Sequence, residues 1–181
     1  MEKRERSIIK VAVVGPESTG KTTLCEQLAT HYNTIYVPEF AREYLNSINR
    51  PYTLQDVLHI SNEQEKIENE FEKKANSILF CDTSLITIKI WLNVKYNYFN
   101  AELENKLLKE NAHFYLLTKP DIPWENDGLR EHPHFRNELF NMHVDILNKL
   151  GFNYEIISGD GNLRIEQAKG IINNLVEKNS F

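Results

Sequence analysis

The sequence has few cysteines, no long apolar run and no excess of positive charge, and each shortage excludes a class of protein. Two cysteines among 181 residues are too few for a disulfide framework. Because Cys25 and Cys81 lie in apolar segments, we expect buried free thiols, as in cytoplasmic proteins. No segment approaches the ~20 apolar residues of a membrane span. The net charge of -5 argues against a general nucleic-acid binder and against docking on an anionic membrane.

The start of the chain does not read as a secretory signal. Charged residues are followed by an apolar run that stops at Gly15, and no small-residue cleavage site follows. The chain is 41% hydrophobic and 26% charged, which is typical of a soluble globular protein. Its length suits one domain with a substantial core. We therefore predict a single cytoplasmic domain over residues 1–181.

Short apolar runs alternate with helical patterns along the whole chain. Alternation of this kind predicts parallel strands joined by right-handed helical crossovers. The expected fold class is α/β, with an open parallel sheet of about five strands and helices on both faces. Ligands of such sheets bind at the carboxyl ends of the strands. The predicted strands are 8–14, 34–38, 78–81, 113–118 and 154–158.

The segment from Gly15 to Thr22 fits the pattern G-x-x-x-x-G-K-[ST] at every fixed position. Glycines let the backbone curl around an anion, and the loop N–H groups then point at phosphates. The helix that follows adds its positive N-terminal end. Lys21 is expected to bridge the β- and γ-phosphates of a nucleoside triphosphate, and Thr22 to place its hydroxyl on Mg²⁺.

Two carboxylates follow predicted strands, where an acceptor substrate would lie. Glu39 follows the second strand and Asp82 the third. Phosphoryl transfer needs metal ligation and a group that orients or deprotonates the acceptor, and carboxylates can serve both purposes. Arg42 lies one helical turn after Glu39 and could face the same side. The alternatives are a helix cap for Asp82, a surface charge for Glu39 and a surface salt bridge for Arg42.

An irregular stretch after the fourth strand, about residues 119–136, predicts a lid. Structureless loops of such length tend to be lids or binding loops. Arg130 and Arg136 could fold over the triphosphate, exclude water and stabilise transition-state charge. Trp91 and Trp124 are candidates for stacking on a flat or cationic ring, although core packing is as good an explanation for Trp91.

Four motifs together resemble the ribosylnicotinamide kinase domain of NadR-type proteins. They read GPESTGKTTL, VPEFAREY, FCDTSLITIKIW and LLTKPDIPWENDGLREHPHFR, and they span most of the chain. The resemblance implies an adenylate-kinase-like P-loop fold and transfer of the ATP γ-phosphate to the 5′-hydroxyl of nicotinamide riboside. The product would be nicotinamide mononucleotide, an intermediate of NAD salvage.

The resemblance also implies roles for individual residues. It makes Glu39 the candidate base or ribose ligand, places Mg²⁺ near Thr22 and Asp82, and makes Arg130 and Arg136 the lid arginines. Further substrate contacts are expected from Arg42, Asp82, Trp91, Trp124 and Asp127. The residues expected on the ATP phosphates are Gly15, Glu17, Ser18, Thr19, Gly20, Lys21, Thr22 and Thr23.

Two departures from the family pattern bear on function. NadR proteins usually carry an adenylyltransferase domain, and often a DNA-binding domain, before the kinase domain. Only about seven residues precede the first predicted strand here, so neither is expected in this chain. After Asp82-Thr83 the family often has a second acid, where this chain has Ser84. If that acid holds the ribose, specificity for nicotinamide riboside would differ.

Three functions therefore stay open at the level of sequence. The leading one is an ATP-dependent kinase of nicotinamide riboside. A kinase of another nucleoside or metabolite fits almost the same residues. A regulatory module that binds or hydrolyses ATP without an acceptor is the third, but no residue that would position a water for hydrolysis is evident. The residues alone do not decide between ATP and GTP or define the oligomeric state.

Overall fold

The computed structural model describes residues 8–110, 112–126, 128–131 and 134–178. In these ranges the chain forms five strands and seven helices. The strands are β1 (Ile9–Val14), β2 (Tyr36–Val37), β3 (Ile78–Asp82), β4 (Phe114–Thr118) and β5 (Tyr154–Ile157). The helices are α1 (Lys21–His31), α2 (Phe40–Ser47), α3 (Leu54–Glu72), α4 (Leu85–Tyr96), α5 (Ala101–Leu107), α6 (Arg136–Leu150) and α7 (Gly161–Lys178).

The five strands form one parallel sheet in the order β2-β3-β1-β4-β5, as the alternation of strand and helix predicted. The central strand β1 pairs with β3 on one side and with β4 on the other. The chain thus first places β2 and β3 on one side of β1 and then places β4 and β5 on the other side. The crevice above the carboxyl ends of β1, β3 and β4 is where such sheets bind ligands.

Side chains of β1 alternate between two apolar cores, one on each face of the sheet. Val11 and Val13 contribute to a core that includes residues of α1 and α7. Ala12 and Val14 contribute to a larger core that includes residues of α3, α4, α5 and α6. A strand covered on both faces has no polar side to show in its sequence, which explains the unbroken β-branched run. The prediction of helices on both faces is confirmed.

The structure moves some predicted boundaries for local reasons. Helix α1 begins only at Lys21, because Ser18 (φ 54°) and Gly20 (φ 75°) adopt left-handed conformations in the loop before it. Strand β2 has only two residues instead of five. The segment after it forms the helix α2.

Capping residues define three of the helix ends. The Asp56 carboxylate accepts a hydrogen bond from the Thr53 backbone N–H at 2.7 Å, which is half of a capping box at the start of α3. Ser84 caps α4 by accepting from the N–H of Ile86 at 3.2 Å. Gly151 ends α6 in a left-handed conformation, with φ 68°. None of the helices described is long and apolar enough to cross a bilayer.

Candidate active site

The loop from Gly15 to Thr22 joins the carboxyl end of β1 to α1. Gly15 has φ 139°, and a Cβ atom there would lie 2.5 Å from Oγ1 of Thr118 at the end of β4. A larger residue would therefore push the loop off the neighbouring strand. Gly20 has φ 75°, a left-handed conformation in which glycine is free of strain. The two glycines thus fix where the loop turns and where α1 begins.

Thr118 and Arg164, which lie outside the motif, hold the loop in place through Thr19. The Thr19 hydroxyl donates to the carbonyl of Pro16 at 2.8 Å and lies 2.7 Å from the hydroxyl of Thr118. Arg164 of α7 is 5% exposed, and its guanidinium donates to the Thr19 carbonyl at 2.7 Å. A polar residue ending the apolar run of β4 was a weak signal for Thr118. No local signal could identify Arg164, because its partner lies 145 residues away.

Lys21, Thr22 and Asp82 meet at the base of the loop. The ammonium of Lys21 donates to the Pro16 carbonyl at 2.8 Å, and the Thr22 hydroxyl donates to Oδ2 of Asp82 at 2.5 Å. Asp82 is 2% exposed, and burial raises the pKa of its carboxyl, while Lys21 and Thr22 act in the opposite direction. Its other oxygen, Oδ1, is buried and has no hydrogen-bond partner among the described residues.

These groups fit a magnesium ion. A buried carboxylate oxygen without a donor, next to a threonine hydroxyl, offers hard oxygen ligands. Mg²⁺ is usually held by one or two carboxylates together with substrate phosphates and water, and the phosphate loop lies directly beside this pair. Asp82 itself does not line the cleft described below, whereas Thr22 does.

The lid lies on the phosphate loop in this structure. Its contacts go to Glu17 and Ser18, two of the variable positions of the motif. The Glu17 carboxylate accepts from the indole N–H of Trp124 at 2.9 Å and from the backbone N–H of Glu131 at 3.0 Å. The Ser18 hydroxyl accepts from the backbone N–H of Glu125 at 2.9 Å. Trp124 therefore attaches the lid to the loop, and it does not line the cleft.

The two lid arginines occupy different positions. Arg130 lines the cleft and donates to the Ser18 hydroxyl at 3.0 Å. Arg136, the first residue of α6, donates to the carbonyls of Ser18 at 3.0 Å and of Ile122 at 2.9 Å. It braces the lid and the loop and is not among the residues that line the cleft. Asp127, a predicted substrate contact, lies outside the described residues.

A cleft of about 260 Å³ opens between the phosphate loop and α2, α4 and the lid. This volume is close to the lower end of the range for small-molecule sites. Glu39, Arg42 and Trp91, three of the predicted substrate contacts, line it. Sequence reasoning missed Tyr52, whose ring meets that of Trp91 edge-on, with centroids 5.2 Å apart. No motif marks Tyr52, because it lies in a connection whose position only the fold defines.

Tyr52 and Trp91, which form an aromatic wall of the cleft, are connected to the lid by hydrogen bonds. Trp91 donates to the Tyr52 hydroxyl at 3.1 Å, and Tyr52 donates to the carboxylate of Glu131 at 2.8 Å. Lys95 of α4 also bonds Glu131, at 2.8 Å. Glu131 therefore connects both sides of the cleft, because its backbone N–H bonds Glu17 on the phosphate loop.

A histidine and a threonine line the cleft between its two sides. Thr87 of α4 and His143 of α6 lie with Oγ1 and Nε2 3.3 Å apart, and Nδ1 of the histidine is 2.7 Å from the Leu139 carbonyl. His143 is 1% exposed, and burial lowers its pKa to about 4. Ser84 is also buried and does not line the cleft, and its hydroxyl caps α4.

Comparisons with known proteins agree with this geometry. The model of the family AAA_28, described as an AAA domain, matches residues 10–164. The trifunctional NAD biosynthesis/regulator protein NadR of Escherichia coli (strain K12) is 30% identical over 148 residues, which are 77% of this chain and 35% of that protein. The chain thus spans about a third of the length of this curated relative. The motif-based resemblance to NadR-type proteins is confirmed.

Solved structures show the same fold. A crystal structure of NadR protein in complex with NR superimposes with a TM-score of 0.78 at 24% identity, covering 92% of this chain and 51% of that one. Thymidylate kinase from Candida albicans superimposes with a TM-score of 0.66 at 16% identity, covering 95% and 92%. These likenesses confirm the P-loop kinase fold that the sequence predicted.

Proposed function

The chain belongs to the AAA domain family whose model it matches, and we propose that it is an ATP-dependent nucleoside kinase whose acceptor is nicotinamide riboside. The γ-phosphoryl group of ATP would be transferred to the 5′-hydroxyl, giving nicotinamide mononucleotide and ADP. The acceptor is suggested by the kinship with NadR, a NAD biosynthesis protein, and by the NadR structure in complex with NR. The reaction class is suggested by the shape of the cleft.

One observation carries the proposal: the phosphate loop lines the same cleft as Glu39 and an aromatic wall. Lys21 and Arg130 line this cleft, and so do Glu39, Tyr52 and Trp91. We assign the first two residues to the donor side and the other three to the acceptor side. A module that only hydrolyses ATP needs no such second wall. Two substrates held in one cleft is the arrangement that phosphoryl transfer to an acceptor requires.

On the donor side, the backbone of the loop and Lys21 would hold the β- and γ-phosphates. Thr22 and Asp82 would hold Mg²⁺, which offsets the negative charge of the phosphates when it is bound. Arg130 would stabilise charge on the transferring group from the lid side. Arg136 would act as a positioning residue, since its guanidinium is already engaged with two carbonyls.

On the acceptor side, Glu39 would accept the proton of the 5′-hydroxyl as the new P–O bond forms. The bond between the γ-phosphorus and the β–γ bridging oxygen breaks, ADP leaves with those electrons, and the proton passes from Glu39 to solvent. The aromatic faces of Tyr52 and Trp91 suit a flat, cationic pyridinium ring. The carboxylate of Glu131 adds negative charge beside that wall. Arg42 would bind polar groups of the same substrate.

The lid would protect the reaction from water. Its contacts with Glu17 and Ser18 close the cleft over the phosphate loop. Phosphate would then go to the nucleoside rather than to water. We also propose that residues 1–181 act as one domain in the cytoplasm, on small molecules rather than on nucleic acid. The two buried free cysteines suit a reducing compartment.

A kinase of another nucleoside is the second candidate. It is favoured by Ser84, which is 1% exposed and occupied in capping α4. A second carboxylate that could hold a ribose is therefore missing at this position. The phosphate loop would serve another nucleoside equally well, because its contacts would be with the donor phosphates.

A coupled assay of ADP release separates these candidates. The protein is incubated with Mg-ATP and, in turn, with nicotinamide riboside, purine nucleosides and pyrimidine nucleosides, with the Lys21→Ala variant as the inactive control. Stimulation by nicotinamide riboside supports the proposal. Stimulation by another nucleoside alone keeps the mechanism and changes the acceptor. ADP release that no nucleoside stimulates would refute the kinase function and favour an ATP-hydrolysing module.

A further inference from the structure

The hydrogen bonds of His143 fix the proton on its ring. The Leu139 carbonyl, 2.7 Å from Nδ1, can only accept a hydrogen bond, so Nδ1 must carry a proton. Burial keeps the pKa of the ring at about 4, and the charge of Lys21 also lowers it, so the ring is neutral at physiological pH. A neutral imidazole has one N–H group. Nε2 is therefore an acceptor.

The direction of the bond to Thr87 follows. With Nε2 as an acceptor 3.3 Å away, the Thr87 hydroxyl must be the donor. Threonine in a helix often donates to the carbonyl one turn before it, but this one is turned to the histidine. Once its proton is committed to His143, the Thr87 oxygen can offer only lone pairs to the cleft. Thr87 becomes an acceptor of fixed orientation.

The position of Thr87 indicates what it would bind. It follows the metal-side carboxylate Asp82 by five residues and precedes Trp91 by four, so it shares a helix face with the aromatic wall. A nucleoside whose base contacts Trp91 and whose 5′-oxygen approaches the phosphate loop would have its sugar beside Thr87. Among the groups of a ribose, only hydroxyls can donate to an oxygen acceptor.

We infer that Thr87 accepts a hydrogen bond from a ribose hydroxyl of the acceptor nucleoside, and that His143 is the positioning residue that turns Thr87 to do so. This inference rests on the proposed kinase function and names a specificity determinant within it. A site built to pair a substrate hydroxyl discriminates against the analogue that lacks it, because its own polar group is then left unpaired.

The test compares ribonucleosides with deoxy analogues. Initial rates are measured with the best acceptor and with its 2′-deoxy and 3′-deoxy forms, for wild type, Thr87→Val and Thr87→Ser. We expect wild type to lose roughly 3- to 10-fold in kcat/KM on one of the two deoxy forms, the effect of one neutral hydrogen bond. Thr87→Val should lose about as much on the parent nucleoside and discriminate no longer, with the KM for ATP unchanged. Thr87→Ser should behave as wild type.

Variants of His143 test the positioning role. His143→Leu should raise the KM for the nucleoside as Thr87→Val does, and the double variant should be no worse than either single one. His143→Gln keeps an acceptor near the Nε2 position and should rescue discrimination. If His143→Leu does not fold, ¹⁵N–¹H correlation of the wild-type ring still reads the tautomer, and a proton on Nε2 would contradict the assignment. Thr30→Val, an exposed change on α1 away from the cleft, is the matched control.

The outcomes separate this inference from the function on which it rests. If wild type phosphorylates a nucleoside but Thr87→Val keeps its KM and its discrimination, the inference is wrong and the kinase function stands. If wild type phosphorylates no nucleoside, the proposed function is wrong, and the acceptor contact is overturned with it. A loss confined to the KM for ATP would place Thr87 on the donor side and also overturn the inference.

Discussion

Replacing Glu110 by glutamine should stabilise this protein above neutral pH and leave its activity unchanged. Glu110 follows α5 at the amino-terminal edge of the sheet, the edge opposite the phosphate loop. Its neighbours are Lys10, Glu68 and Tyr115, and Lys10 is already paired with Glu68 at 2.6 Å. Glu110 Oε2 and the Tyr115 hydroxyl are both buried, and the contact with Tyr115 opposes the rise in the pKa of Glu110.

The magnitude follows from the pKa. Burial raises the pKa of Glu110 from 4.5 to about 7, with the charge of Glu68 adding to the rise and Lys10 opposing it. The folded state therefore holds a proton that the unfolded state releases between these two values, and wild-type stability falls as pH rises through this window. Linkage puts the cost of ionising Glu110 at about 3 kcal/mol at pH 8 and below about 1 kcal/mol at pH 5. A glutamine, which cannot ionise, avoids that cost.

The assay is urea unfolding of wild type and Glu110→Gln at both pH values. The variant should be more stable by about 2–3 kcal/mol at pH 8 and nearly unchanged at pH 5. Glu70→Gln, on the exposed face of α3, is the matched control, and surface changes of this kind usually stay within about 0.5 kcal/mol. Equal stability of Glu110→Gln and wild type at pH 8, or a gain of the same size at both pH values, would refute the reasoning.

Three further predictions concern the cleft. Glu39→Gln should lower kcat by roughly 10²- to 10⁴-fold, as expected for the loss of a general base. Its affinity for ATP, measured by calorimetry, should be unchanged. Full activity of the variant would exclude a role of Glu39 as the base. In Glu17→Gln, the amide NH₂ would face one of the two N–H groups that dock the lid, so one docking hydrogen bond is lost. The ratio of ATP hydrolysis to nucleoside phosphorylation, measured as ADP released per nucleotide product, should therefore rise. An unchanged ratio would show that Glu17 does not contribute to lid closure. Gly15→Ala should abolish nucleotide binding in a fluorescent-nucleotide titration, because its Cβ would meet Thr118; retained binding would show that the loop can shift.

Much of the fold could be predicted from local patterns. A few consecutive residues are enough to indicate each of several features: the buried run of β1, the glycine loop after it, and the helix caps at Thr53, Ser84 and Gly151. Parallel pairing and right-handed crossovers then follow from general rules. The lengths of β2 and the start of α1 were less predictable, because strand pairing partners and left-handed loop residues define them.

The candidate site divides in the same way. Its phosphate loop, Glu39 and Asp82 could be identified from the sequence, because each follows a predicted strand directly and strand ends gather at one edge of the sheet. The lid could be predicted as a lid, but its docking on Glu17 and Ser18 could not. Those contacts join residues more than 100 positions apart, and no spacing rule relates them.

The sequence by itself determined that this chain is a P-loop α/β protein that resembles NadR-type proteins and has carboxylates after its predicted strands. It did so because glycines, strand runs and caps act through backbone conformation, which neighbouring residues decide. Only the tertiary structure decided which side chains meet across the cleft. It placed Arg136 and Trp124 in contacts between the lid and the phosphate loop, buried Ser84 at the start of α4, and brought Tyr52 to Trp91 and Thr87 to His143. Such pairs depend on how helices pack on the sheet, and packing is a property of the whole chain.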